Sequence, residues 1–186
     1  RGQLLLRRSR GYAPEPLTLP APCGAPVLAV GGQLKGTFAL GCRSEAFLSQ
    51  HVGDLDHLAA YQTFARDVAL YEELFGIHPQ IIAHDLHPEY ASTHYAQARA
   101  ERDGQQLFAV QHHHAHLASC LAEHGRTAQA IGVIFDGTGY GTDGTVWGGE
   151  FLVGDLRGFR RAAHLRCFRM PGGERAIREP WRLALA

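Results

Sequence analysis

The chain has 186 residues, with 18 basic and 18 acidic side chains and zero formal net charge when its 12 histidines are neutral, so no overall field recruits nucleic acid or an anionic membrane. Hydrophobic residues at 45% and charged residues at 19% give the composition of a soluble globular protein, and no run approaches the roughly 18 apolar residues of a membrane span. Cys23, Cys42, Cys120 and Cys167 are far apart and form no CxxC pair, so neither a zinc ribbon nor a disulfide framework is indicated and reduced thiols in the cytoplasm are the expectation.

The arginine-rich start lacks the apolar segment of a secretory signal. A first residue that is Arg1 rather than Met, and a closing stretch from Trp181 to Ala186 that reads as a cut helix, point to a piece of a longer protein. Residues 1–25 read as the tail of something else: a short strand at Leu4-Leu5-Leu6, a run containing Arg7, Arg8 and Arg10, then four prolines within residues 13–22 that make an extended linker. The arginines suit bidentate bonds to a phosphate or nucleotide, and they equally suit an exposed basic linker.

From residue 26 short apolar strands separated by glycine begin. Strands over 27–30 and 37–40 flank a turn at 31–36 and predict a hairpin. That turn carries Lys35, the single lysine of the chain, which is placed either to meet a phosphate or to be a solvated turn residue. A third strand over 45–52 precedes a helix over 56–75, with Leu58, Tyr61, Phe64, Val68, Tyr71 and Phe75 at helical spacing. Asp54 or Asp56 is the expected cap at its start, and Gly76 the stop. A strand over 80–83, a loop over 84–89, a helix over 90–101 and a strand over 107–111 follow. His84, Asp85 and His87 thereby fall just past the carboxyl end of a parallel strand, where open α/β sheets place ligand sites; loop polarity alone also accounts for them.

Four histidines stand within five positions at His112, His113, His114 and His116. A helix over 112–124 puts His112 and His116 one turn apart on one face, able to share one metal ion, while His113 and His114 point elsewhere. A helix start disfavours imidazolium, and a ligand must be neutral imidazole. The spacing is that of HExxH, but position 113 is histidine, so the general base of a zinc protease is missing. Iron and zinc suit the donors comparably. Cys120, one turn on, is either a third ligand or a packed thiol.

The pattern then restarts: a strand over 130–135, a glycine turn over 136–144, a strand over 145–153 and another over 162–169, an internal duplication of topology. Gly139 to Gly144 is a formal GxGxxG, but a strand follows it, so the dinucleotide fingerprint is rejected. The expected alternative is a hairpin whose N–H groups at Gly137, Thr138, Gly139 and Gly141 wrap a nucleotide phosphate while Asp136 faces a cation. The expected fold is α/β, the duplicated actin/hexokinase/Hsp70-like kind, with the first half complete (26–128) and the second truncated (129–186).

The residues from Val110 to Ala118, Asp136 to Gly141, Trp147-Gly148-Gly149-Glu150, Met170-Pro171-Gly172-Gly173, Arg178-Glu179-Pro180-Trp181-Arg182 and Asp85-Leu86-His87-Pro88-Glu89-Tyr90 resemble the HypF family, the carbamoyltransferases of NiFe-hydrogenase maturation. That resemblance implies that residues 1–25 close a YrdC-like domain, with Arg8 and Arg10 near its nucleotide, and that the remainder opens an actin-like domain. It implies transfer of a carbamoyl group from carbamoyl adenylate, made from carbamoyl phosphate and ATP, to the C-terminal cysteine of a partner maturation protein. It also implies a divalent ion held by His112 and His116 with Asp136, magnesium being a further candidate ion. A threonylcarbamoyl transferase acting on tRNA and a non-catalytic metal- or nucleotide-binding module are the alternatives.

Overall fold

The computed structural model describes Tyr12, residues 15–173 and residues 175–185; the expected strand at Leu4-Leu5-Leu6 and the arginines Arg7, Arg8 and Arg10 lie outside them. Among the described residues the chain runs β1 (Leu17–Thr18), β2 (Val27–Ala29), β3 (Ala39–Cys42), β4 (Glu45–Leu48), α1 (Leu58–Phe75), β5 (Ile81–Asp85), α2 (Ala91–Asp103), β6 (Gln106–Val110) and α3 (His112–Glu123). It then makes β7 (Ala130–Tyr140), β8 (Val146–Gly154), β9 (Phe159–His164), the short α4 (Arg175–Arg178) and a 3-10 turn over Pro180–Leu185.

Two sheets result, ordered β1-β4-β3-β2-β5-β6 and β7-β8-β9. In the first, β2, β3 and β4 form an antiparallel meander, and β5 and β6 join β2 in parallel. The second repeats the meander. This is the duplicated actin-like α/β fold expected from the sequence, with one repeat carried through its parallel strands.

The first core is built where strand alternation meets the helical period of α1. Leu28, Val30, Phe38, Leu40, Phe64, Val68 and Ile82 are each at most 1% exposed, and burial of side chains of this size stabilises by about 1.5–3 kcal/mol each. Phe38 packs edge-on to both Phe64 and Tyr71, with centroids 5.5 and 5.0 Å apart. Gly76 ends α1 in the left-handed region at φ 62°, as a C-terminal glycine should. The helix begins later than expected, after His57, which makes no side-chain cap. Asp54 is engaged elsewhere, accepting the Lys35 backbone N–H at 2.8 Å.

Several boundaries differ from the sequence reading, each for a physical reason. The proline-rich stretch contributes β1, whose Leu17 and Thr18 pair with Ala46 and Glu45. Strand β5 runs on through His84 and Asp85 because β6 pairs with it out to Val110; these two residues close a strand instead of opening a loop. Residues 136–140 are extended as well: β7 continues through a register shift between Phe135 and Gly139, after which Gly139 pairs with Trp147. The turn is confined to the link closed by Gly141 N–H to the Thr145 carbonyl at 2.8 Å.

Helix α3 leaves the first sheet but buries Leu117 and Leu121 in a second core with Trp147 and Leu152 of β8. It is therefore shared between the halves. Its N-terminus lies where the carboxyl ends of β5 and β6 approach β7.

Candidate functional site

Gln111 fixes the first turn of α3. Its side-chain oxygen accepts the His114 N–H at 2.9 Å, and its amide nitrogen contacts His113 Nδ1 at 3.1 Å and the Tyr140 carbonyl at 3.2 Å. One 4%-exposed amide thus caps a helix, orients a histidine and ties α3 to β7. His113, fully buried, turns its Nε2 toward the Asp136 backbone carbonyl at 3.4 Å, and burial pushes its pKa down. His114 Nε2 reaches the Asp155 carbonyl at 2.9 Å. Both are structural, as the helical geometry led one to expect.

His112 and His116 do share a face. Their Nε2 atoms are 3.3 Å apart, and both address the same oxygen, Asp136 Oδ2, at 2.7 and 3.0 Å. The other edge of the His112 ring meets Asp85, with Nδ1 to Oδ2 at 2.8 Å. The hydrogen bond that His112 donates to Asp85 raises the His112 pKa, burial opposes it, and Asp136 adds to the rise. For Asp136 burial pushes upward, but hydrogen bonds from His112 and then His116 outweigh it and hold the carboxyl below its usual range. One donor atom from each of His112, His116 and Asp136 lies within 4.8 Å of the others.

Two imidazole nitrogens and a carboxylate oxygen converging in this way are the donor set of a divalent-ion site. The three residues fit such an ion without rearrangement of their elements.

A cleft of about 370 Å³ opens beside this cluster, lined by Gly31, Gly32, Asp85, His112, His116 and Ser119. It sits outside the carboxyl ends of β2, β5 and β6, where open α/β sheets bind ligands. Gly31 has φ 67°, and a Cβ there would lie 2.8 Å from the Thr37 carbonyl oxygen, so only glycine makes this turn. A larger cavity of about 650 Å³ is lined by His87, Tyr90, Thr138, Gly139 and Tyr140. His87 and Tyr90 stack there, with centroids 4.1 Å apart and planes inclined by 4°.

The other expected residues are placed less directly. Thr138 and Gly139 face the larger cavity, while Gly137 lies within extended β7. Gly139 packs against α3: a Cβ would lie 2.5 Å from His113 Cε1 and 3.0 Å from His112 Cβ. Gly141 sits against the Trp147 indole, which leaves no room for a Cβ. Lys35 is exposed at φ 53°, and among the described residues its ammonium has no hydrogen-bond or ion-pair partner. Cys120 is exposed and is not among the convergent donors, which overturns its reading as a packed thiol. The sequence reading left Asp85 without a role and did not single out Gln111; both act through contacts to α3 that no local spacing reveals.

Comparison with known proteins identifies the lineage. The HypF Kae1-like domain matches residues 22–123. The chain belongs to the HypF family. A second match, to the carbamoyltransferase Kae1-like domain second subdomain, covers residues 132–186. Carbamoyltransferase HypF2 of Cupriavidus necator is 49% identical over 97% of this chain, which covers 22% of that relative. Carbamoyltransferase HypF of Synechocystis is 46% identical over 98% of this chain, and the covered share of it is 24%. The chain thus spans about a quarter of the length of these relatives.

The crystal structure of a full-length HypF in its phosphate- and nucleotide-bound form superposes with a TM-score of 0.90 at 47% identity, covering 96% of this chain and 23% of that one. The T. kodakarensis HypF structure gives 0.84 at 34% identity, over 92% and 22% respectively.

Proposed function

We propose that this HypF-family chain is part of a carbamoyltransferase of NiFe-hydrogenase maturation, and that His112, His116 and Asp136 form its ion-binding centre. The observation that carries this reading is the convergence of three donor atoms on one point at the mouth of the cleft. The phosphate- and nucleotide-bound state of the related structure supports a nucleotide, ATP or carbamoyl adenylate, as a ligand, and the cleft beside the ion centre is where our reading places it. A bound iron or zinc ion would supply Lewis-acid polarisation and charge neutralisation, with magnesium a further candidate beside the nucleotide phosphates.

The chain's own residues then have distinct tasks. His112 and His116 present neutral Nε2 lone pairs, Asp136 presents its carboxylate, and Gly31 and Gly32 leave room for phosphate oxygens. Thr138 and Gly139 line the neighbouring cavity and are placed to meet the remainder of the nucleotide.

In the transfer itself a thiolate of a partner protein, the C-terminal cysteine in our reading, attacks the carbamoyl carbon. A C–S bond forms, the bond from that carbon to the phosphate oxygen breaks, and AMP leaves with the electron pair. Cys120 and Cys167 are exposed and outside the triad, so this chain need not supply the nucleophile. Its four free cysteines are consistent with a cytoplasmic setting. Among the described residues no helix is long and apolar enough to cross a membrane.

Elemental analysis of the full-length protein beside its His112→Ala/His116→Ala variant tests the centre, with stoichiometric metal expected only in the parent. Incubation with carbamoyl adenylate and the partner's C-terminal peptide tests the chemistry. A thiocarbamate on the peptide cysteine supports transfer; bound metal without that product would leave only a binding module.

A further inference from the structure

We propose that Asp85 is a positioning residue that keeps the His112 proton on Nδ1 and so leaves Nε2 as the lone-pair donor of the centre. Asp85 is only 8% exposed and uses both carboxylate oxygens at once. Oδ2 faces His112 Nδ1 at 2.8 Å, and Oδ1 accepts the His87 backbone N–H at 2.8 Å. Its backbone carbonyl accepts the Thr93 hydroxyl at 3.2 Å. The carboxylate therefore cannot turn away without breaking the loop after β5.

The ring is confined from another side. A Cβ on Gly32 would lie 3.8 Å from Asp85 Oδ2 and 3.9 Å from His112 Cε1, so the turn backbone lies alongside the pair. An acceptor fixed at Nδ1 requires a proton there, and a neutral imidazole has only one to place. Asp136 Oδ2 also faces Nε2 at 2.7 Å, but His116 Nε2 lies 3.0 Å from that same oxygen and can supply its proton. At Asp85 Oδ2 the His112 ring is the donor, so its one proton belongs on Nδ1 and Nε2 is the unprotonated nitrogen.

Asp85→Asn separates this role from a structural one. The His87 N–H can only donate, so the asparagine carbonyl oxygen stays with it and the amide NH2 faces the ring. The ring has a choice and the loop has none. His112 adapts by moving its proton to Nε2, where it donates to Asp136 instead and preserves packing, but Nε2 can no longer ligate. Removal of such an orienting partner typically costs ~10–100-fold in metal affinity.

The binding arm rests on the metal reading above, whereas the tautomer arm stands without it. In the full-length chain, zinc affinity is measured by calorimetric titration for the parent and Asp85→Asn. Histidine 15N spectra of both metal-free proteins are recorded at a pH where the His112 ring is neutral. The expected result is a ~10–100-fold weaker zinc affinity in the variant, with His112 protonated on Nδ1 in the parent and on Nε2 in the variant. Equal affinities, or one tautomer in both proteins, overturn the inference while leaving the metal site in place. A parent that binds no zinc overturns the metal reading instead, and the tautomer comparison still decides the role of Asp85. Should the variant not fold, the parent spectrum suffices, because a neutral His112 protonated on Nε2 refutes the proposal.

Discussion

Arg161 of β9 holds Glu150 of β8 by two bonds, Nε to Oε2 at 2.6 Å and Nη2 to Oε1 at 2.9 Å. Glu150 is 2% exposed; burial lifts its pKa, but the hydrogen bonds from Arg161 and the Gly148 N–H, with the Arg161 charge, together hold it low. The guanidinium also lies 4.1 Å from the centroid of the Trp147 ring, whose indole N–H donates to Asp143 at 2.9 Å. The Trp-Gly-Gly-Glu stretch is thereby a brace beneath β7. Arg161→Leu leaves a buried carboxylate without its partner and is expected to destabilise the fold by roughly 3 kcal/mol, read as a lowered denaturation midpoint. A midpoint equal to that of the parent would show the pair to be dispensable.

Gly139→Ala tests the contact between β7 and α3. The added methyl would fall 2.5 Å from His113 Cε1 and 2.8 Å from Nδ1, and a fully buried ring has nowhere to retreat. Overpacking of this kind costs about 1–3 kcal/mol. Zinc affinity should fall along with thermal stability, because the pushed helix carries both ligand histidines. Calorimetry and thermal melts on one sample check the two together.

Gln111→Ala removes a cap, a partner of His113 and a link to the Tyr140 carbonyl in one step. The cap alone is worth about 1 kcal/mol, and the stranded buried groups add about 1–3 kcal/mol more. Hydrogen exchange should show the first turn of α3 opening more readily than its C-terminal turns. Uniform exchange along the helix would contradict the assignment.

The pH response follows from the directions of two shifts. His112 has a raised pKa, so without metal its stabilising contribution is complete below the ordinary 6.5 and is lost as pH climbs through the raised value. Asp136 has a lowered pKa, so its contribution is present above the ordinary 3.8 and is lost only as pH falls through the lower value. The metal-free melting midpoint should therefore decline on the alkaline side. Zinc binding should run the other way, tightening about tenfold per pH unit for each proton it displaces until His112 is neutral. Melts and titrations between pH 5.5 and 9, a range chosen to bracket the histidine titration, check both signs.

The sequence disclosed most of what is periodic or carried in short motifs. The apolar spacing of α1, the strand and glycine alternation of the two meanders, and the one-turn separation of His112 and His116 are local properties, and each is found in the fold. The association of Asp136 with that pair came from the family resemblance; the sequence placed Asp136 at a strand end, whereas β7 runs through it to Tyr140. What stayed hidden depends on pairing between distant segments. Whether residues 136–140 turn or extend is decided by Gly139 meeting Trp147 across the ladder, and whether His84 and Asp85 belong to a strand is decided by β6. Asp85 looked like one polar loop residue among several, because its partner lies 27 positions away.

A single imidazole spans the two sheets: one edge is bonded to a carboxylate at the end of β5, the other to a carboxylate on β7. His112 is in this sense a clasp, and the two lobes of the molecule cannot separate there without unfastening one side of the ring. A ligand seated against both Nε2 and Asp136 is therefore held by the same ring that joins the end of β5 to β7.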